Sequence, residues 1–332
     1  MDPLTHTATG LFLSRAGLNR WTPRAAAILM LAANAPDIDI VTAAGGSLNY
    51  LHYHRHLTHS LVAMPVMALL PVLAVRLIGR KPVNWLGAWC ASLVALASHL
   101  LLDWTNSYGI RLLLPFSPRW LRLDWTNVID LWIWAGLGVC LLGPFLARLV
   151  GSEIASGATL NRRHGRAAAW TALAFLLFYE GARATLHARA AATLDSRLYQ
   201  QSSPLRTSAL PDAANPFRWR GVIETADFDA VADLNLAAEF DPSRAAVFIK
   251  PEPDPALDAA RQSEIFRHFL AFAEIPFWRI SPAPDMDGGK LVEVFDLRFG
   301  TPLAPGPVAS ATVDGQQHIL HASFQWGLPR PR

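Results

Sequence analysis

The stretch 83–102, VNWLGAWCASLVALASHLLL, contains no Asp, Glu, Lys or Arg. A helix needs about 20 mostly apolar residues to cross the hydrocarbon core of a bilayer. A run of that length without a formal charge fits poorly in a soluble helical bundle, whose helices carry a polar face. Three further runs approach the same length. One covers 60–79 (SLVAMPVMALLPVLAVRLIG), with kinks expected at Pro65 and Pro71. Another covers about 129–150, and a last one 167–186, weakened by Glu180 and Arg183 near its end. The run 25–36 is too short to span and is expected to pack on the bundle or lie in the interface.

Composition agrees with this. The chain is 52% hydrophobic and 17% charged over 332 residues, apolar for a soluble protein. A net charge of +3 gives no reason to expect a nucleic-acid partner. Cys90 and Cys140 lie inside apolar runs and read as small hydrophobes, not as a disulfide or a thiolate metal site. The opening MDPLTHTATG lacks a basic region followed by an apolar one, so no secretory signal is expected.

From about residue 195 the pattern changes. WRGVIETA, AAVFIK, KLVEVFDLRF, ASATVDG and HILHASFQW alternate with Gly-containing turns, as antiparallel strands do, and 256–274 reads as a helix. The expected fold is an α-helical membrane domain over 1–190, with about four spans plus N-terminal interfacial helices. A smaller soluble, strand-rich α+β domain is expected over 195–332.

The polar residues of the first part gather at the ends of the runs. HYHRHLTHS at 52–60 holds His52, His54, His56 and His59. SHLLLD closes the charge-free run with His99 and Asp103, which at i and i+4 share one helix face. LDWTNVIDLW brings Asp124 and Asp130 ahead of the next run. If successive helices alternate direction, all of these lie on one membrane face. APDIDI adds Asp37 and Asp39, and carboxylates at membrane depth are costly unless partnered. His6 lies in the opening, ahead of an expected amphipathic helix in which Gly10 permits close packing. Imidazoles and carboxylates in this combination point to a metal site suited to zinc, manganese or iron. Taken singly, Asp2, Asp124, His52 and His56 read as caps or interfacial polar groups. Asp37 reads as an N-cap or a helix stop after Pro36, and Asp130 as an N-cap. His187, His268, His318 and His321 read as structural or exposed.

Several motifs, in order, resemble the YdjM family of membrane-bound predicted metal-dependent hydrolases, in its longer YfhP-like form with a C-terminal soluble domain. They are DPLTHTATG, AANAPDID, HRHLTHSL, SHLLLDWTNSYGIRLLLPFSPRW and LDWTNVIDLW, with FAEIPFWRI and VEVFDLRFG more weakly in the second part. The resemblance implies a ligand set of His6, Asp37, Asp39, His54, His59, His99 and Asp103, and leaves His52 and His56 as supports behind the ligands or as incidental. It implies Arg55 as a partner for a carboxylate or a substrate phosphate, and Thr58 and Ser60 as orienting groups for the imidazoles.

The implied activity is hydrolysis by metal-activated water at a phosphoryl or acyl centre of a lipid or other amphipathic substrate. Zinc is the expected ion. The donors exceed the roughly four that one zinc takes, so one or two ions are expected. Asp39 or Asp130, if not spent on metal, would act as general base. The rival is a metal-stabilised membrane scaffold or regulator without catalysis, binding a protein partner through the C-terminal domain. A transporter ranks last, because the runs are polar mainly at one end. Either leading reading places the chain in the inner membrane as a multi-pass protein in contact with lipid. Arg76, Arg80, Lys81, Arg148, Arg162, Arg163 and Arg166 put the loops opposite the site in the cytoplasm by the positive-inside rule, while Arg15, Arg20, Arg24 and Arg55 argue the reverse.

Overall fold

The computed structural model describes residues 1–79, 82–154, 163–283 and 286–326, and the side chains within these except those of 147–154, 163 and 164. Arg80, Lys81 and Arg162 of the topology argument therefore lie outside the described residues. Contacts divide the chain into two compact units. The first comprises 1–38, 55–186 and 211–216, and the second 39–54, 187–210 and 217–332.

The helical part runs α1 (Pro3–Ala16), α2 (Ala25–Ala32), α3 (Ser47–Tyr53), α4 (Met64–Gly79), α5 (Trp85–Thr105), α6 (Leu131–Ile154) and α7 (Arg163–Asp195). Among the described residues α5 alone is long and apolar enough to cross a membrane unaided, and two bent helix pairs raise the number to three if each counts as one span. Four separate spans are not reproduced. The run 60–79 starts its helix only at Met64, because Ser60 closes a tight turn and its hydroxyl accepts from the Ala63 amide. Pro65 falls in the first turn of α4, where its missing N–H costs nothing, so it makes no kink there. The apolar part of α6 is the shorter Leu131–Leu146. The run 167–186 is the middle of the 33-residue α7, with Arg183 fully buried.

Asp2 caps α1 by accepting from the Leu4 and Thr5 amides, and Pro3 fits the first helical position. This starts the helix before His6, not after it as the sequence suggested. Gly10 lets α1 cross α2 closely: a Cβ there would stand 2.5 Å from the Leu29 carbonyl oxygen. Ile28, Leu29 and Ala32 of α2 pack with Val72 and Val75 of α4 and Ala88, Ala91 and Ala95 of α5. Phe12, Leu102, Ile133, Leu137, Ala169 and Ala172 join α1, α5, α6 and α7 in a second cluster. The outward faces are also apolar. Ile78 is 85% exposed and Leu177 and Phe178 are each 77% exposed, an exterior that lipid solvates and water does not.

The second unit carries two four-stranded antiparallel sheets. One has the order β1 (Arg206–Pro211), β2 (Arg218–Glu224), β3 (Phe228–Asn235), β4 (Ala246–Ile249). The other has β5 (Pro276–Pro282), β6 (Lys290–Asp296), β7 (Pro307–Val313), β8 (Ile319–Trp326). Val222 faces Val231 across β2–β3, and Phe277 faces Phe295 across β5–β6. Leu210, Val222, Phe277, Phe295 and Val308 bury a core shared by both sheets. The single helix expected over 256–274 is two, α8 (Pro255–Gln262) and α9 (Glu264–Leu270). Ser263 divides them, its hydroxyl accepting from the Phe266 amide as the N-cap of α9. Helix α3 packs against α9, so this short piece of the N-terminal sequence belongs to the second unit.

Candidate metal centre

Helix α5 sets the site. His99 and Asp103 lie on its inward face and are fully buried. The Nδ1 of His99 donates to the Ala33 carbonyl at 2.7 Å, at the end of α2. A carbonyl can only accept, so Nδ1 carries the proton and Nε2 presents its lone pair. The 3₁₀ turn Leu57–His59 brings in His59, whose Nδ1 is 3.1 Å from the Thr58 hydroxyl. The two Nε2 atoms meet at 3.2 Å. Around them stand Asp37 Oδ1, 3.4 Å from His59 and 3.8 Å from His99, and Asp103 Oδ2, 3.5 and 3.4 Å from the same atoms.

Asp37, His59, His99 and Asp103 thus form a group that could hold a metal ion, with all four donor atoms within 4.8 Å of one another. Donors about 2.0–2.1 Å from a tetrahedral zinc would be about 3.3–3.4 Å apart, close to these separations. Asp103 Oδ2 is buried and accepts no hydrogen bond. A carboxylate oxygen without a hydrogen bond, beside the Nε2 atoms of two imidazoles, is a donor set that suits a cation. The anchoring of Nδ1 to a carbonyl or hydroxyl is the support a metal-bound histidine needs. Three donors are fully buried, while the Asp37 side chain keeps 21% exposure.

Residues 1–190 match the family described as YdjM inner membrane protein. The chain belongs to this family. It is also 30% identical over 178 residues to the uncharacterized protein YfhP of Bacillus subtilis (strain 168), across 45% of this chain and 54% of that one. The match thus spans about half the length of the curated relative. No solved structure matches. The YdjM region contains the whole four-donor group, and it also contains α5.

The other sequence-predicted residues take varied positions. His6 stacks on His99 with ring centroids 3.9 Å apart, and its Nε2 is 3.5 Å from Asp103 Oδ1. Both its ring nitrogens are buried without a hydrogen bond, and burial holds its pKa down to about 3, so the ring is neutral. Arg55, with φ 54, turns its buried guanidinium to Asp103 Oδ1 at 3.0 Å, Asn106 Oδ1 at 3.2 Å and the Gly109 carbonyl at 2.9 Å. The α-amino group of Met1 reaches the same Asp103 oxygen. Of the two roles the sequence offered Arg55, pairing with a carboxylate is the one on view.

Asp39 and His54 fall in the second unit, where His54 Nδ1 lies 2.8 Å from Asp39 Oδ1. Asp130 caps α6, accepting from the Trp132 and Ile133 amides and from the Tyr179 hydroxyl at 3.0 Å. Its lone pairs are committed, which leaves it poorly placed as a general base. Ser60 caps a turn and orients no imidazole. Two supports escaped sequence reading. The Ala33 carbonyl is a backbone group with no side-chain signature. Asn106, three residues past Asp103 and directly after α5, accepts from Arg55 and from the Tyr108 and Gly109 amides.

Proposed function

We propose that the protein is a multi-pass inner-membrane hydrolase that depends on a divalent ion, zinc by preference, held by Asp37, His59, His99 and Asp103, with His6 alongside. The observation that carries this reading is the convergence of two imidazole nitrogens and two carboxylate oxygens at near-tetrahedral spacing in a largely buried cluster. An ion bound there would supply an activated water and Lewis acidity. Ala33 and Thr58 hold the imidazole rings in register. Arg55 neutralises the Asp103 oxygen that faces away from the donor group. Asp37 is the one donor of the four with solvent access, so water would reach the ion from its side. Asp130, which already accepts from two amides and the Tyr179 hydroxyl, is set aside as the general base in this reading. The substrate class is a phosphoryl or acyl ester with an apolar portion, reached from the lipid.

One observation favours the rival, a metal-stabilised scaffold whose C-terminal domain binds a protein partner. Four protein donors complete a tetrahedron, as in structural zinc sites, whereas catalytic sites keep a position open. The two readings separate in one experiment. Detergent-purified protein is analysed for metal and assayed on phosphodiester, phosphomonoester and carboxyl-ester amphiphiles, alongside His99→Ala and Asp103→Ala. Hydrolysis lost together with metal supports the enzyme. Metal bound with no turnover on any substrate supports the scaffold, and unchanged metal in both variants sinks the site.

A further inference from the structure

Four arginines are buried among the described residues: Arg55, Arg111, Arg183 and Arg298. Three of them have oxygen acceptors. Arg55 bonds Asp103, Asn106 and Gly109; Arg183 bonds the Trp125 and Pro216 carbonyls; Arg298 bonds Asp296 and the Phe272 carbonyl. Arg111 has none among the described residues. It is 4% exposed, and its Nε and Nη2 are buried without a hydrogen-bond partner. Its guanidinium lies 4.5 Å from the centre of the Trp120 ring, which offers a cation–π contact but no charge balance. Burial pulls its pKa below the usual arginine value. A desolvated cation with unfilled donors is costly, and it persists where an anion completes it.

The surroundings indicate which anion. Arg111 stands in the segment between α5 and α6, closed by paired backbone bonds between Ile110 and Leu121. Trp120 meets Tyr108 edge-on at 5.8 Å, and Tyr108 lies under the Arg55 guanidinium that pairs with Asp103. A continuous set of contacts thus joins Arg111 to the metal centre. The same segment carries Phe116, 85% exposed, Leu113, 42% exposed, and the exposed Arg119. A buried fork-shaped cation followed within eight residues by exposed apolar side chains and a surface cation matches the junction between a phosphate and an acyl chain.

We infer that Arg111 is the seat for the phosphate of the substrate, and that Phe116 and Leu113 seat the adjoining apolar chain, so that the substrate is a lipid-type phosphate ester. For the reaction such an ester would meet, this inference rests on the metal-hydrolase reading. The anion seat itself is tested separately.

The test is calorimetric titration of the detergent-purified full chain with two probes, short-chain phosphatidic acid and inorganic phosphate. Short-chain phosphatidylcholine serves as the zwitterionic control. Wild type binds phosphatidic acid more tightly than phosphatidylcholine. Arg111→Gln weakens phosphatidic acid binding about tenfold or more, the loss expected for charge-assisted hydrogen bonds. Arg111→Lys, which keeps the charge, weakens it less and covers the case in which the glutamine variant fails to fold. Phe116→Ser weakens the lipid probe and leaves phosphate unchanged if the source is a lipid headgroup; equal binding of both probes, unaffected by that change, assigns the seat to free phosphate esters. Metal content stays at the wild-type level in all these variants. Arg111-dependent binding in metal-stripped protein keeps the seat even if the hydrolase reading fails. Absence of binding to wild type, or wild-type binding by Arg111→Gln, overturns the inference.

Discussion

The two halves of HYHRHLTHS fold into different units and use their histidines differently. His52 and His54 belong to the second unit. There His52 meets the His268 ring at 4.3 Å, and His54 stacks on Tyr50 at 4.5 Å while pairing with Asp39. His59 belongs to the first unit, fully buried, with one nitrogen fixed by Thr58 and the other facing His99, Asp37 and Asp103. Identical side chains close in sequence meet rings and the Asp39 carboxylate in one case and converge with three other donors in the other. The distinguishing feature is a held Nδ1 that turns Nε2 toward a carboxylate oxygen lacking hydrogen bonds. Density of histidines in the sequence does not distinguish them.

The contrast breaks most sharply at Asp103. Asp103→Asn removes a donor and strands the buried Arg55 cation. The expected result is loss of metal together with a fall in stability of about 3–5 kcal/mol, the usual consequence of breaking a buried ion pair. Elemental analysis and thermal unfolding in detergent measure both. Wild-type metal content in this variant would abolish the contrast altogether. Next comes the direct comparison of the two histidines. His59→Ala should weaken metal affinity beyond the roughly 100-fold typical of losing an outer support, and His54→Ala should leave it at the wild-type value. Competition with a chromophoric chelator reads both, and equal losses would mean that the halves share one task.

Much of the first unit was legible because its constraints are one-dimensional. A charge-free run of this length folds as one helix long and apolar enough to cross a membrane, and His99 and Asp103 at i and i+4 must share a helix face. What the sequence hid depends on tertiary satisfaction. Asp130 and Asp103 are both carboxylates at helix ends, but one is filled by amides and a tyrosine while the other keeps a bare oxygen. Arg55 and Arg111 are likewise indistinguishable until their acceptors are seen. Among the strands, β3 was missed because Asp229 and Asp233, residues depleted in sheets, interrupt its alternation. Strand β5 was missed because Pro276 and Pro282 bound it. The split of α8 from α9 turned on one serine hydroxyl.

A smaller effect is expected from Gly10→Ala. The new Cβ would meet Leu29 oxygen at 2.5 Å, Leu29 carbonyl carbon at 2.8 Å and Met30 Cα at 3.0 Å. These are backbone atoms, so α1 and α2 must move apart at a cost of about 1–3 kcal/mol. Helix α1 carries His6, and the residue after α2 carries the carbonyl that holds His99. The change should therefore lower both the thermal midpoint and metal affinity. A lower midpoint with unchanged metal affinity would show that His6 and the Ala33 carbonyl contribute little to the site.

The matching defect in the second unit is Ser263→Ala. It removes the hydroxyl that accepts from the Phe266 amide and leaves an orphan donor at the start of α9, at a cost of about 1 kcal/mol. Helix α9 carries His268 and packs against α3, which carries His52. Fraying of α9 should therefore raise hydrogen exchange in both helices and loosen the half of the run that contains His52 and His54. It should leave the donors around His59 untouched, because none of them rests on α9. Hydrogen exchange by mass spectrometry, paired with a metal titration, tests this directly. Faster exchange in α3 and α9 at constant metal affinity keeps the two halves separate. Metal loss in step with α9 fraying would show that the histidines of the run act as one structure.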